Sequence, residues 1–284
     1  MAEAIDLRSA AATLNGRTRL FGMLGHPVDA VRAPAMFNAR AARLGADAAM
    51  VALDVPPDRF ERTVGALRDI GNLHGFVVTA PFKVRAMALA HTLGARASAC
   101  GSLNLLVRCP NDPGRWHGDA LDGLGFGTAL RDSGFGCAGA RVLLVGAGGV
   151  GSAIATELAA QGVLAIDIHD HDPQRAAALV RRMQATGVLA NLAAPRVEPV
   201  HDLAINATPM GGRRTDDLPM DLAALQSWTT VADVVMAAHE TPLVAAARAA
   251  GCRVQDGQAM LDGQFPHLYR MLLEPRHVFD TIDS

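Results

Sequence analysis

Lysine is all but missing from this 284-residue chain: of its 26 basic side chains, 25 are arginine and one, Lys83, is lysine. Tyrosine is equally scarce, with Tyr269 alone, and aromatic residues make up 4% of the chain. The four cysteines, Cys100, Cys109, Cys137 and Cys252, lie far apart without a CxxC pair. That excludes a disulfide scaffold and the common zinc spacings, and it predicts a reduced compartment. Charge of one sign is also lacking. A net charge of −2 gives no electrostatic case for nucleic acid or a membrane surface. The longest uncharged apolar run, 142–156, is too short and too rich in glycine to span a bilayer. The first residues lack the apolar core of a signal peptide, so the expected location is cytoplasmic.

What is present in quantity is apolar material, 50% of the chain, enough for one large domain or two ordinary ones. Arginine solvates a surface as well as lysine does. A chain that has replaced nearly every lysine keeps one by chance, or because that position needs an amine that can lose its proton. The surroundings of Lys83 have to decide between these.

Short apolar runs alternate with amphipathic stretches, the pattern of an α/β protein. Strands are expected at 20–25, 50–53 and 75–79, with helices at 34–44, from an opening at 56–58 to about 70, and after Pro81. Strands at 103–107 and 116–118 are expected to pair around a turn at 110–114, and a helix to run over 121–134. A second unit begins at Arg141, and the tail from Gly257 is expected to be a helix packing back on the first unit. The expected division is a substrate-binding unit over 1–125, completed by 257–284, and a dinucleotide-binding unit over 126–256, with the active cleft between them.

Gly146-Ala147-Gly148-Gly149-Val150-Gly151 matches the G-x-G-x-x-G fingerprint, a weak signal alone. Its context strengthens it, because a VLLV strand precedes it, a helix follows, and a further strand ends at Asp170. An acidic group there accepts hydrogen bonds from the adenosine ribose, while the glycines let the backbone approach a pyrophosphate at the helix N-terminus. His169-Asp170-His171-Asp172 carries two carboxylates and no arginine before Arg175. A 2′-phosphate meets like charge there, so NAD is expected over NADP. The two histidines lack a third ligand nearby, and no metal is expected.

Lys83 closes the segment Val78-Thr79-Ala80-Pro81-Phe82-Lys83, at a strand end, where parallel α/β sheets place their chemistry. Two further constellations are Asp122-Gly123 and Met260-Leu261 with Gln264. Together with Gly25-His26-Pro27, Gly101-Ser102-Leu103-Asn104, Asn206-Ala207-Thr208 and Thr241-Pro242-Leu243, these motifs resemble the shikimate/quinate dehydrogenase family, in the family's order and over nearly all of residues 20–273. The resemblance implies two α/β domains and a reversible hydride transfer between a nicotinamide and a secondary hydroxyl of a small cyclic substrate. It implies proton transfer at Lys83 with Asp122 beside it, substrate contacts at Thr79, Asn104 and Gln264, and cofactor contacts at Asn206 and Thr208. Singly, Asp122 also reads as a helix cap and Gln264 as an exposed polar residue.

The chain departs from that family at four substrate-contact positions. Two loop serines are Val31 and Ala33, an asparagine before the lysine is Val77, and a tyrosine after a late strand is Met236. Hydrogen bonds to a carboxylate are worth roughly 1.5–3 kcal/mol each, so losing two removes about two to four decades of affinity unless something compensates. Arg32 stands between the lost serines and can grip a carboxylate with two hydrogen bonds; a solvated loop arginine is the plainer reading. The first expectation is therefore an NAD-linked dehydrogenase whose substrate, a small cyclic alcohol or polyol, is not shikimate. The alternatives are a genuine shikimate or quinate dehydrogenase that uses Arg32, and a non-catalytic nucleotide-binding regulator. A monomer or homodimer is expected.

Overall fold

The computed structural model describes residues 14–274. Its elements run β1 (Arg19–Gly25), α1 (Ala33–Arg43), β2 (Ala48–Asp54), α2 (Phe60–Leu67), β3 (Leu73–Val78), β4 (Thr92–Leu93), α3 (Ala95–Cys100), β5 (Leu105–Cys109), β6 (Asp112–Asp119) and α4 (Asp122–Asp132). There follow β7 (Arg141–Val145), α5 (Gly149–Ala160), β8 (Ala165–His169), α6 (Pro173–Gln184), β9 (Leu189–Leu192), β10 (Leu203–Asn206), β11 (Thr230–Asp233), α7 (Pro242–Ala249), β12 (Arg253–Gln255) and α8 (Gly257–Leu273). The chain is a two-domain α/β protein.

Among the described residues the first compact unit comprises 14–92, 104–118 and 269–274. Its sheet has the order β2-β1-β3-β5-β6-β4, with β1 parallel to both β2 and β3, and β3 antiparallel to β5. Because β5 runs backwards, its beginning lies with the carboxyl ends of β1 and β3, and Val77 pairs with Leu105 there. The few aromatics of the chain are concentrated in this core. Phe21 packs on Phe37, Phe76 stacks on Trp116, and Phe60 lies almost parallel to Phe82 at 4.1 Å. Tyr269, from the end of α8, stacks on Phe37 at 5.2 Å and donates its hydroxyl to the Met36 and Phe37 carbonyls of α1. The last turn of α8 is thereby fixed to the first unit.

The second unit comprises 93–103 and 119–268. Its sheet, β12-β11-β10-β7-β8-β9, is parallel throughout. This is the doubly wound dinucleotide-binding order, with the reversal of direction between β7 and β10. Both faces are covered, which accounts for the continuous apolar runs in its strands. Val142 and Leu144 face one core with Ile154, Leu158 and Leu203, while Leu143 and Val145 face the other with Ala204, Val231 and Leu243.

The observed division differs from the one expected at 125/126 and 256/257. Helix α4 and α8 as far as Leu268 cluster with the dinucleotide-binding unit. Glycine explains this. A Cβ at Gly125 would sit 2.6 Å from the Met260 carbonyl oxygen, and one at Gly263 would sit 2.4 Å from that of Gly125. The two helices touch backbone to backbone, an approach that only glycine permits. The helix expected after Pro81 is a short 3-10 stretch, Arg85–Leu89, because Phe82 is fixed against Phe60 and the chain returns to the sheet by Thr92. No helix among the described residues is long and apolar enough to cross a membrane.

Candidate active site

In the first unit, the loops after β1 and β3 and the start of β5 meet at the carboxyl ends of β1 and β3. The Val78 N–H donates to the Asn104 carbonyl at 2.8 Å, Thr79 N–H to Leu24 at 2.8 Å, and His26 N–H to Ala80 at 3.2 Å. These bonds gather Thr79, Lys83, Asn104 and the loop leading to Val31, Arg32 and Ala33. Lys83 is half-buried, and its predecessor Phe82 is completely buried. The Phe60 stack is in turn covered by Arg85, whose guanidinium lies 5.3 Å from the Phe60 ring and pairs with Glu61. The backbone that carries Lys83 is therefore anchored on both sides of it. Asn104 is 3% exposed. Val77 and Ala33 are buried and Val31 is half-buried, so the first unit's share of the apolar substitutions lines packed surroundings and not open solvent.

In the second unit, Asp122 and Gln264 come together. Gln264 Nε2 donates to Asp122 Oδ1 at 3.3 Å, and both residues are buried. Asp122 is the first helical residue of α4, and the capping position is taken by Leu121, which makes no side-chain cap. The plain helix-cap explanation of Asp122 does not describe this structure, nor does that of Gln264 as an exposed residue.

The glycine turn is tightly packed on one side and open on the other. Gly146 has φ +107°, and a Cβ there would sit 2.7 Å from the Ala207 carbonyl. A Cβ at Gly151 would sit 1.9 Å from the Gly146 carbonyl oxygen, whereas one at Gly148 would meet nothing within 4 Å. Tight packing behind the turn and open space at Gly148, in front of the N-terminus of α5, fit a bound pyrophosphate. Ala147 is buried, while Gly148, Gly149 and Val150 are half-buried.

Asn206 and Thr208 have more internal business than their sequence motif suggested. Asn206 Oδ1 accepts from the Thr208 N–H at 3.0 Å and its hydroxyl at 2.7 Å. Asn206 Nδ2 donates to the Met210 carbonyl at 2.9 Å and to Asp233 Oδ1 at 3.0 Å. Asn206 shapes the loop after β10 and has no polar atom to spare. Asp233, which the sequence reading passed over, is the centre of this network. It also accepts from the Val235 N–H at 3.1 Å and the Thr241 hydroxyl at 2.6 Å. Burial pushes its carboxyl up, against the downward pull of the Thr241, Val235 and Asn206 bonds. The signal for it was its register position opposite Asn206, visible only once the strands are paired. Met236 follows on this loop, half-buried. No group of three His, Cys, Asp or Glu among the described residues is arranged to hold a metal.

A tight glycine turn, a doubly wound parallel sheet and a second α/β unit define a two-domain protein of the dinucleotide-binding class. Comparison with known proteins narrows this. The family model described as shikimate dehydrogenase substrate binding domain matches residues 23–106, and the one described as ThiF family matches 137–239. A shikimate dehydrogenase (NADP(+)) of Rubrobacter xylanophilus is 36% identical over 87% of this chain and 88% of its own length. That of Rhodospirillum rubrum is 37% identical over 87% of this chain and 89% of its own. The chain belongs to the shikimate dehydrogenase family. Among solved structures, shikimate 5-dehydrogenase from Listeria monocytogenes in complex with shikimate and NAD is 26% identical with a TM-score of 0.81, covering 92% of this chain and 94% of that one. The ligand-free 5-ketofructose reductase of Gluconobacter sp. strain CHM43 is 28% identical with a TM-score of 0.80, at the same coverages.

Proposed function

We propose that this enzyme is a shikimate or quinate dehydrogenase, oxidising one ring hydroxyl of a small cyclic hydroxy acid. The observation that carries the reading is the chain's one lysine at the carboxyl end of β3, in a chain whose curated relatives carry the name shikimate dehydrogenase along nearly their full length. These names favour shikimate over the expectation of a different substrate.

In the proposed reaction a bound nicotinamide dinucleotide supplies the two-electron acceptor. The hydroxyl proton passes to Lys83, whose amine can hold and release it as a guanidinium cannot. Asp122, kept in place by Gln264, accepts a hydrogen bond from the reacting or neighbouring hydroxyl. Asn104, Thr79 and Gln264 hold the remaining ring hydroxyls, and Arg32 grips the carboxylate that the missing serines leave unheld.

NAD is the proposed preferred cofactor. Asp170 and Asp172 stand at the end of β8, and Arg175 is paired with Asp172 at 3.3 Å, so no unengaged guanidinium there awaits a 2′-phosphate. The NADP(+) in the relatives' names weighs the other way, which makes cofactor choice a direct test. A second reading, a neutral polyol or ketose substrate, is favoured by Val31, Ala33, Val77 and Met236 and by the likeness to 5-ketofructose reductase.

The deciding experiment assays the purified protein with shikimate, quinate and neutral polyols, each with NAD and NADP. Turnover of shikimate or quinate supports the first reading. Turnover of neutral polyols alone replaces it with the second, and dinucleotide binding without turnover of any alcohol points to a regulator.

A further inference from the structure

Asp170 has a different set of partners from the one its place in the fingerprint implies. It is 9% exposed. Its Oδ2 accepts the Ala147 N–H at 2.6 Å, and its Oδ1 accepts the Asp172 N–H at 2.9 Å, with His171 Nδ1 at 3.1 Å. The N–H of Gly146, one residue earlier, donates to the His169 carbonyl at 2.7 Å. Two successive amides of the glycine turn are thus held by two successive residues at the end of β8. From the other side, Gly146 lies against the Ala207 carbonyl. One carboxylate therefore spans two loops, the turn that enters α5 and the turn that enters α6.

We propose that Asp170 is a positioning residue for the pyrophosphate-binding turn, and that reading the ribose 2′ position is not its main task. The inference rests on the dinucleotide-binding reading given above. A carboxylate accepting two backbone amides in a buried place makes strong, directional bonds. Without it, the Ala147 amide is buried with no acceptor and the turn is free to rotate away from the pyrophosphate. A residue that only reads the 2′ position acts on adenosine and on the choice between NAD and NADP. A residue that builds the turn acts on every ligand with a pyrophosphate, whatever its 2′ group.

The test uses the full-length protein, measuring Kd for NAD, NADP, ADP and adenosine by calorimetry, together with thermal midpoints. Asp170→Ala is expected to weaken NAD, NADP and ADP alike, by roughly tenfold to a hundredfold, and to leave adenosine nearly unchanged. Asp170→Asn, whose one carbonyl can still accept the Ala147 amide, is expected to recover most of the loss. A merely structural lesion would lower the thermal midpoint without separating ADP from adenosine. If Asp170→Ala instead weakens NAD and adenosine while NADP binds more tightly, Asp170 is a 2′ reader and the inference is overturned. If wild type binds none of the dinucleotides, the dinucleotide reading fails first and takes this one with it. If wild type binds them and Asp170→Ala changes nothing, the positioning role alone is refuted.

Discussion

Gln264 and Asp122 share one hydrogen bond of 3.3 Å, joining the middle of α8 to the first residue of α4, the helix it touches backbone to backbone. Asp122 keeps its orientation because a buried amide faces it. Gln264→Ala leaves a buried carboxylate with one donor fewer, a loss of about 1.5–3 kcal/mol for a bond to a charged group. Steady-state kinetics should show the KM for the alcohol raised about tenfold or more with the Kd for NAD unchanged. A variant with wild-type KM would remove Gln264 from the site.

Lys83→Ala should lower kcat by roughly two to four decades, the usual worth of a positioned proton-transfer group. Lys83→Arg should not rescue it, because a guanidinium stays protonated. Fluorescence titration of both variants should return the wild-type Kd for NAD. Equal turnover in wild type and Lys83→Ala would overturn the assignment.

Gly263→Ala places a methyl group about where the Gly125 carbonyl oxygen stands, 2.4 Å from the new carbon. Backbone cannot yield as a flexible side chain does, so the helices must separate. Overpacking of this kind costs about 1–3 kcal/mol, and a urea denaturation midpoint reads it. Gly148→Ala, with nothing within 4 Å of the new carbon, should leave that midpoint nearly unchanged while weakening NAD.

Stability should fall on the alkaline side. Burial holds the thiols of Cys100, Cys137 and Cys252 protonated beyond their ordinary range, and it does the same to the Tyr269 hydroxyl. A group whose pKa is raised by folding contributes its full stability below the unfolded value and loses it as pH climbs through the folded one. Denaturation midpoints should hold steady to about pH 8, then decline through the ordinary thiol and phenol ranges near 8.5 and 10. Alkylation by iodoacetamide at neutral pH should be slow at all three thiols until the protein is unfolded.

The doubly wound unit was legible in the sequence because its signals are local. Gly146 to Gly151 follow a VLLV strand directly, and the spacing to Asp170 is fixed by one helix. Lys83 drew attention for a different reason, since scarcity made one position stand out. The uses of Asp170 and Asn206 were not. Each was placed correctly in the chain, but its bonds run to residues on neighbouring strands, and only the pairing of β7 with β8 and of β10 with β11 brings Ala147 and Asp233 within reach. The boundary between units was misjudged for a similar reason. Gly125 and Gly263 look like ordinary helix-weakening residues until the second helix is laid against the first. Strand β9, Leu189–Leu192, is an edge strand with three of its four residues exposed, and its apolar residues do not alternate with polar ones in the way that marks a half-buried strand.

The half-buried amine at the end of β3 has a practical side. Reagents that attack primary amines, such as activated resins, acylating dyes or reductive methylation, find no other side chain to modify in this arginine-rich protein. Apart from the α-amine, Lys83 is then the one point of attachment, the amine proposed above to carry the proton, and the rate of its labelling becomes a gauge of how open that part of the first unit stands.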